Sequence, residues 1–553
     1  MLCKLLQINS LGKFIRIIQS YTELAFNGVR LILKAAEGSM PSAAMGSLTK
    51  PSANSNFDFD DRCVPMSHLL LYYQRPEPAT WVFLSSFLLF GLYFVFHRFW
   101  SLRNLDLILL VLLAPGLMMV YEGRRMRADD IRPVSTDTLV SIRQQDDGQL
   151  NDGPLNDGPQ IPDGQSPDGT LISPSEELLK PPAKSWNGEK LEFYGFAFLL
   201  TACGLLAIRM LVDPAIVRRP LLEPNLSIGG LCFIGVSLLI FLLANVITSD
   251  PRVQAEHGPP LGPGYALLNM LPELPTTPGT NVAEWQRPPL KNPWLPNLAR
   301  IIAIVANLSI VFGIVGVGYW HFDNIKTGIG AATMYLLLPY TAQMTGNVQH
   351  ALPAALLVLA ILSYRLPLLA GMLLGAGAGL VYYPFFLLPL WISFYWHRGL
   401  GRLLTGVCIS LGVLAVLLLL GGVEAFLAHL QKMFGLWLPS MEGLEGVWGS
   451  GIPAIFRLPV LVGFIILSLS FSFWPARKTL GTLMCGSAAI MLAAQFWHGY
   501  GGGLYMAWFL PPVLLTIFRP NVDDRIATKV VRPNWIGTAK TNGVSSPPQP
   551  TAS

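Results

Sequence analysis

The chain has 553 residues, of which 52% are hydrophobic and only 13% charged, about half the charge of an ordinary soluble domain. Its mean hydropathy is +0.47 and its formal net charge +5, which argues against a water-soluble enzyme, a nucleic-acid-binding protein or a disordered scaffold. An all-α, polytopic membrane protein is expected, because many apolar runs reach the ~17–25 residues that carry a helix across a bilayer.

Residues 1–80 read as an N-terminal extension. Lys4, Lys13, Arg16, Arg30 and Lys34 are spread among Leu, Ile and Phe, which suits a basic interfacial helix. An over-long reading frame with its true start at Met40, Met45 or Met66 suits the segment at least as well. Two spans are predicted within 81–121. Residues 122–190 form a polar, acidic loop with Asp-Gly pairs at Asp147, Asp152, Asp157, Asp163 and Asp168. Their spacing fits no calcium motif, and Asp, Gly and Pro without apolar neighbours build no core, so a flexible loop is expected. Two further spans lie within 191–247, and 248–298 is a Pro-rich loop. The region 299–518 holds nine more apolar segments, making about thirteen in all. Residues 519–553 form a polar tail. The six cysteines contain no CxxC pair, and four sit inside apolar runs; free thiols are expected rather than disulfides or zinc.

Loop charge sets an orientation. Lys326, Arg365, Arg398, Arg402, Arg477, Lys478, Arg519, Arg525, Lys529 and Arg532 alternate with loops that hold only Lys432 and Arg457. The tail is therefore assigned to the cytoplasm, and TGNVQH, VYYP, 423–455 and HGYGG to the outside. Counting back puts 122–190 and 248–298 outside as well. Arg124, Arg125, Arg127 and Arg132 then violate the rule, so either the first half threads differently or these arginines have work to do there.

The spans from Ile301 to Phe518 contain almost no ionisable side chain, which weighs against ion-coupled transport. Chemistry is expected at an interface, although a passive scaffold remains open. The outer face collects Gln343, Asn347, Gln349 and His350, then Tyr382, Tyr383 and Pro384, then His498, Tyr500 and Tyr505 beside Gly501-Gly502-Gly503. Each taken alone suits an ordinary interfacial residue or turn; their convergence on one face is the stronger signal.

The stretch from MYLLLPYTAQMTGNVQH through LPLLAGMLLGAGAGLVYYPFFLLPLWISFYWHRGLGRLL resembles the centre of polyprenyl-phosphate-sugar-dependent glycosyltransferases of the GT-C type, in particular the family 87 mannosyltransferase-like proteins. FLAHLQKMFGLWLP looks like the family's juxtamembrane helix, and FWHGYGGGLYMAWFLPPVLL like its closing spans. The resemblance covers about residues 300–518. Tyr382 or Tyr383 stands where many relatives carry a lysine, and Thr345-Gly346-Asn347 replaces a Gly-Gln pair. The resemblance implies that an external-loop carboxylate takes a proton from an acceptor hydroxyl as a lipid phosphate leaves.

RRMRADDIRP supplies the chemical types. Asp129 and Asp130 are base candidates, and Arg124, Arg125, Arg127 and Arg132 suit a phosphate. Asn347, Gln349, His350, Tyr382 and Tyr383 would line a donor pocket. Asp250, Glu256, Glu273 and Glu284 are reserve acids. No DxD motif lies nearby, so neither a metal nor another cofactor is expected. The implied protein sits in the cytoplasmic membrane, with a polyprenyl-phosphate-sugar donor and an acceptor on its outer face, and takes no nucleic acid. The other reading is a non-catalytic permease or envelope-assembly scaffold, with 124–132 as a cytoplasmic basic cluster.

Overall fold

The computed structural model describes residues 77–130, 186–216, 221–253, 262–277, 292, 294–424, 426–427, 444–449, 452–475 and 478–520, without the side chains of 128–130, 186–187 and 454. Most of the N-terminal extension, the Asp-Gly repeat, Arg132, Glu256, Glu284, nearly all of FLAHLQKMFGLWLP and the tail beyond 520 lie outside the described residues.

The described chain is helical, with two isolated β-bridges and no strand. In order it forms α1 (Pro78–Tyr93), α2 (Leu102–Val111), α3 (Leu113–Asp130), α4 (Trp186–Val212) and α5 (Ile228–Ile247). The short α6 (Tyr265–Asn269) precedes α7 (Leu295–Trp320), α8 (Ile325–Leu337), α9 (Pro339–Met344), α10 (Val348–Leu362) and α11 (Pro367–Leu380). Then come α12 (Leu388–Tyr395), α13 (Leu400–Leu419), α14 (Arg457–Ser470), α15 (Leu480–Trp497) and α16 (Leu510–Phe518).

Each of the thirteen apolar segments contains helix, but six, not thirteen, of the described helical stretches are long and apolar enough to cross a membrane: 102–127, 188–215, 228–247, 295–320, 400–419 and 480–497. Prolines and glycines account for much of the difference. Pro339 ends α8 and starts α9, since a ring without an N–H cannot continue the ladder. Pro384 opens a 3₁₀ turn ahead of α12. The Gly501–Gly503 turn, with positive φ at both ends, leaves 503–518 a single 3₁₀ turn and the nine-residue α16.

Small residues set the packing. α15 reads LGTLMCGSAAIMLAAQFW and has 89% of its apolar window buried, whereas α13 has 17%. α15 is thus the central post, and α13 presents its apolar side outward, as a lipid-facing helix does. α13 meets α11 through glycines: a Cβ on Gly371 would stand 2.1 Å from the Leu403 carbonyl oxygen, and one on Gly406 2.2 Å from that of Leu368. This is the close backbone approach that small residues at every fourth position allow.

The bundle has two polar ends. One gathers the ends of α3, α11 and α15 with the starts of α4, α10 and α14. The other gathers the α1–α2 turn, the end of α4 and residue 519. There Asn104, fully buried, donates to the Val95 and Arg98 carbonyls and accepts from the Val95 N–H. Beside it Arg209 forks onto Asp106 at 2.6 and 3.0 Å and reaches Asp213 at 3.1 Å, while Arg519 reaches Asp213 at 2.7 Å. Arg519, expected to open the polar tail, is instead buried in this network.

Candidate functional site

The first polar end begins with a close helix crossing. Gly123 and Gly195 let α3 and α4 meet backbone to backbone; a Cβ on Gly123 would stand 2.6 Å from the Glu192 nitrogen. Glu192, only 10% exposed, is consequently held between two arginines of α3. Arg124 Nε donates to it at 3.0 Å and Arg127 Nη1 to its other oxygen. Arg124 also lies over the Phe196 ring at 5.7 Å and donates from Nη2 to Glu445 at 3.3 Å.

Glu445 belongs to a short segment pinned to the end of α15. Its N–H donates to the Gly499 carbonyl at 2.9 Å, and it forms a parallel bridge with Tyr500. Trp448 Nε1 donates to the Phe496 carbonyl at 3.0 Å. Gly446 between them has φ +69°, a left-handed conformation that favours glycine.

Next to this ion group stands a cluster of tyrosines and histidines. Tyr382 donates to Tyr383 at 3.1 Å, and the Tyr383 hydroxyl is 2.7 Å from His498 Nδ1. That order directs the Tyr383 hydrogen to Nδ1 and leaves the imidazole hydrogen on Nε2. The Tyr340 hydroxyl is 2.6 Å from His350 Nδ1. Tyr505 joins the two histidines, stacking on His350 at 4.3 Å and meeting His498 edge-on at 4.3 Å. Trp508 completes the group 4.4 Å from Tyr505. Burial pushes His498 down to about 3, helped by His350 and Arg457 nearby, so the imidazole is neutral at physiological pH. Burial also raises the Tyr505 hydroxyl; Glu445 raises it further and Arg124 opposes this.

A strap covers the cluster. Gly264 N–H donates to the Gly379 carbonyl at 2.7 Å, Thr276 to the Gln343 carbonyl at 2.6 Å, and Gln349 Nε2 to Asn269 at 3.0 Å. Gln349 also bonds the Tyr265 hydroxyl.

Of the residues expected to form a site, Arg124, Gln349, His350, Tyr382 and Tyr383 come together at this end, and Arg127 joins through Glu192. Arg125 instead turns toward Glu122 at 3.6 Å and Glu77 at 3.9 Å on the surface. Asn347 caps α10, accepting from the Gln349 N–H at 3.1 Å, which is a helix-starting role. Asp129 and Asp130 end α3, but their side chains lie outside the described residues. Glu273, a reserve acid, is exposed and pairs its backbone with Arg252; Asp250 is also exposed.

Several members of the site were not among the expected residues. Glu192 had a visible signal, an acid just inside an apolar run. Glu445 stands between Gly443 and Gly446 outside the long apolar helices, where acids are commonplace, so nothing local marks it. Arg457 was counted only as a loop charge. It is buried at the start of α14, 4.5 Å over the Trp497 ring, and donates to the Trp497 carbonyl at 3.2 Å.

Chemically, the end combines carboxylates, guanidinium groups, neutral imidazoles and phenols beside apolar helices. Such a set can hold an anion and accept a proton. Among the described residues, no group of three or more His, Cys, Asp or Glu is placed to hold a metal ion. Comparison with family models, with curated proteins and with solved structures gives no match to this chain.

Proposed function

We propose that the protein is an integral membrane glycosyltransferase of GT-C type, moving a sugar from a polyprenyl-phosphate carrier to a hydroxyl acceptor at the outer face of the cytoplasmic membrane. One observation carries the reading: Arg124, Glu192 and Glu445 meet the Tyr383–His498 and Tyr340–His350 pairs at a single end of an otherwise apolar bundle. A lipid-linked donor needs that arrangement, with cations for its phosphate at the level of the headgroups and an apolar wall for its chain. Aromatic faces such as Tyr382 and Tyr505 suit a sugar ring. The sequence resemblance over 300–518 supports the same class, and the about thirteen apolar segments suit its many-helix architecture.

The protein's own groups divide the work. Arg124, Arg127 and Arg457 supply positive charge, and the neutral His498 supplies hydrogen bonding without adding charge. A carboxylate at this end takes the acceptor proton; Asp129 and Asp130 at the end of α3 are joined as candidates by Glu192 and Glu445.

The test is transfer by the purified protein in lipid, from a panel of labelled polyprenyl-phosphate sugars to a membrane extract. Label should appear in extract lipid, glycan or protein, and fall strongly in Arg124→Gln. Absence of transfer from every donor, by both purified protein and intact membranes carrying it, would leave the permease or scaffold reading.

A further inference from the structure

We infer that the basic turns at the starts of α11 and α13 hold the phosphate headgroup of an anionic membrane phospholipid. The place lies at the end of the bundle opposite the tyrosine–histidine cluster, and the inference does not depend on the glycosyltransferase reading. α11 and α13 run side by side in the same direction, with Gly371 against Leu403 and Gly375 against Val407. Arg365, just before α11, therefore lies at the level of Arg398 and Arg402. Two contacts tie the turns together. The Tyr395 hydroxyl donates to the Tyr364 carbonyl, and a Cβ on Gly399 would stand 3.0 Å from Pro367 Cγ. Gly399 itself has φ +108°, a left-handed conformation that favours glycine, and it turns the chain from α12 into α13.

What separates these arginines from those of the Asp106–Asp213 network is the lack of an internal counter-ion. Arg209 and Arg519 are engaged by Asp106 and Asp213. Among the described residues, no carboxylate lies within ion-pair distance of Arg365, Arg398 or Arg402, and neither helix has an acid in its first turn. Arg365 is exposed and donates from Nε to the Tyr364 hydroxyl at 3.2 Å. Arg398 is half-buried, and its Nη1 is closed off from water without a hydrogen-bond partner. Nothing in the described chain offsets the desolvation of that charge. An anion laid against the open side of the guanidinium supplies the missing partner.

The surroundings select a lipid over a free anion. Leu366, Leu369 and Leu404 are exposed at the starts of the same two helices, and Trp396 is exposed two residues before Arg398. α13 continues this apolar face along its length, with only 17% of its span buried. A phosphate at the arginines thus has an apolar wall beside it for acyl chains and a tryptophan of the kind that settles at headgroup level. Basic pockets between membrane helices take lipid phosphates on this pattern, and guanidinium groups bind phosphate oxygens in pairs. A soluble phosphate would use the arginines alone and gain nothing from the leucines.

The experiment titrates the purified full-length protein in detergent with phosphatidylglycerol, phosphatidylcholine or glycerol phosphate, and reads the lipid-bearing fraction by native mass spectrometry. Wild type is compared with the double variant Arg365→Gln with Arg398→Gln, and with Arg98→Gln, which removes an exposed arginine of the α1–α2 turn. Wild type should retain phosphatidylglycerol in preference to phosphatidylcholine, and the double variant should need about tenfold more of it or worse. Arg98→Gln should bind as wild type does. Unchanged retention in the double variant overturns the assignment, as does equal retention of the two lipids by wild type. An equal loss in Arg98→Gln would mean diffuse surface charge rather than a site. Displacement of the lipid by an equal concentration of glycerol phosphate would mean a free-anion site, and also overturns it. Thermal unfolding is read in parallel without added lipid. A double variant that unfolds there, where wild type is stable, would show that the chain itself uses these charges, and the assignment falls.

Discussion

At one end of the bundle Arg124 and Arg127 face Glu192 and Glu445; at the other Arg209 and Arg519 face Asp106 and Asp213. The two groups have the same formal charge and both pair arginines with carboxylates, but the second is at most 7% exposed throughout, and the arginines of the first are about half exposed. A buried, fully forked network has no room for a ligand, and removing one member strands the others in a medium that cannot solvate them. A half-exposed group contributes little to stability and keeps its charges available. On burial alone, the second group is a structural clamp and the first a candidate site.

The largest expected effect tests the clamp. Arg209→Ala removes both bonds to Asp106 and one to Asp213, and should cost about 3–5 kcal/mol, read as a collapse in folded yield and thermal stability in detergent. Gly371→Ile comes next, because even its Cβ would meet the Leu403 carbonyl; a loss of about 1–3 kcal/mol is expected. Arg124→Gln should lie at the small end for stability, about 0–1 kcal/mol, while abolishing most transfer. Equal destabilisation by Arg124→Gln and Arg209→Ala would erase the distinction between the two ends.

Acid sharpens the comparison further. His498 is lowered from its ordinary 6.5 to about 3 in the fold, so between those values the unfolded chain binds a proton that the native one does not. Its contribution is complete above about 6.5 and lost as pH falls toward 3. Thermal stability of wild type should therefore decline across that window, and His498→Asn should show a shallower decline. An unchanged acid profile in the variant would place the acid sensitivity elsewhere, with His350 the neighbour to examine next.

The apolar segments were legible because length and composition are local properties; the α8–α9 break at Pro339, inside a segment expected to run unbroken, was not anticipated. What escaped the sequence is what depends on distant pairing. Glu445 and Arg124 are 321 positions apart, and Arg519 and Asp213 306, and no window of sequence shows either pair. The alternation of loop charges grouped the two sets of loop ends, and the structure gathers residues near 124, 192, 349, 383 and 498 at one end. Thus the gathering of Arg124, His350 and Tyr383 at one end was readable, while the carboxylates that join them, Glu192 and Glu445, were not.

The clamp also has a consequence for how the chain is made. Asp106, Arg209 and Asp213 emerge from the ribosome long before Arg519, and until it arrives they hold two negative charges against one positive. The cluster reaches neutrality only when α16, the last described helix, has docked and brought its terminal arginine to Asp213. A chain that stops short of that point lacks the Arg519 contact, and the buried Asp213 carboxylate then has one cationic partner fewer in a setting that solvates charge poorly.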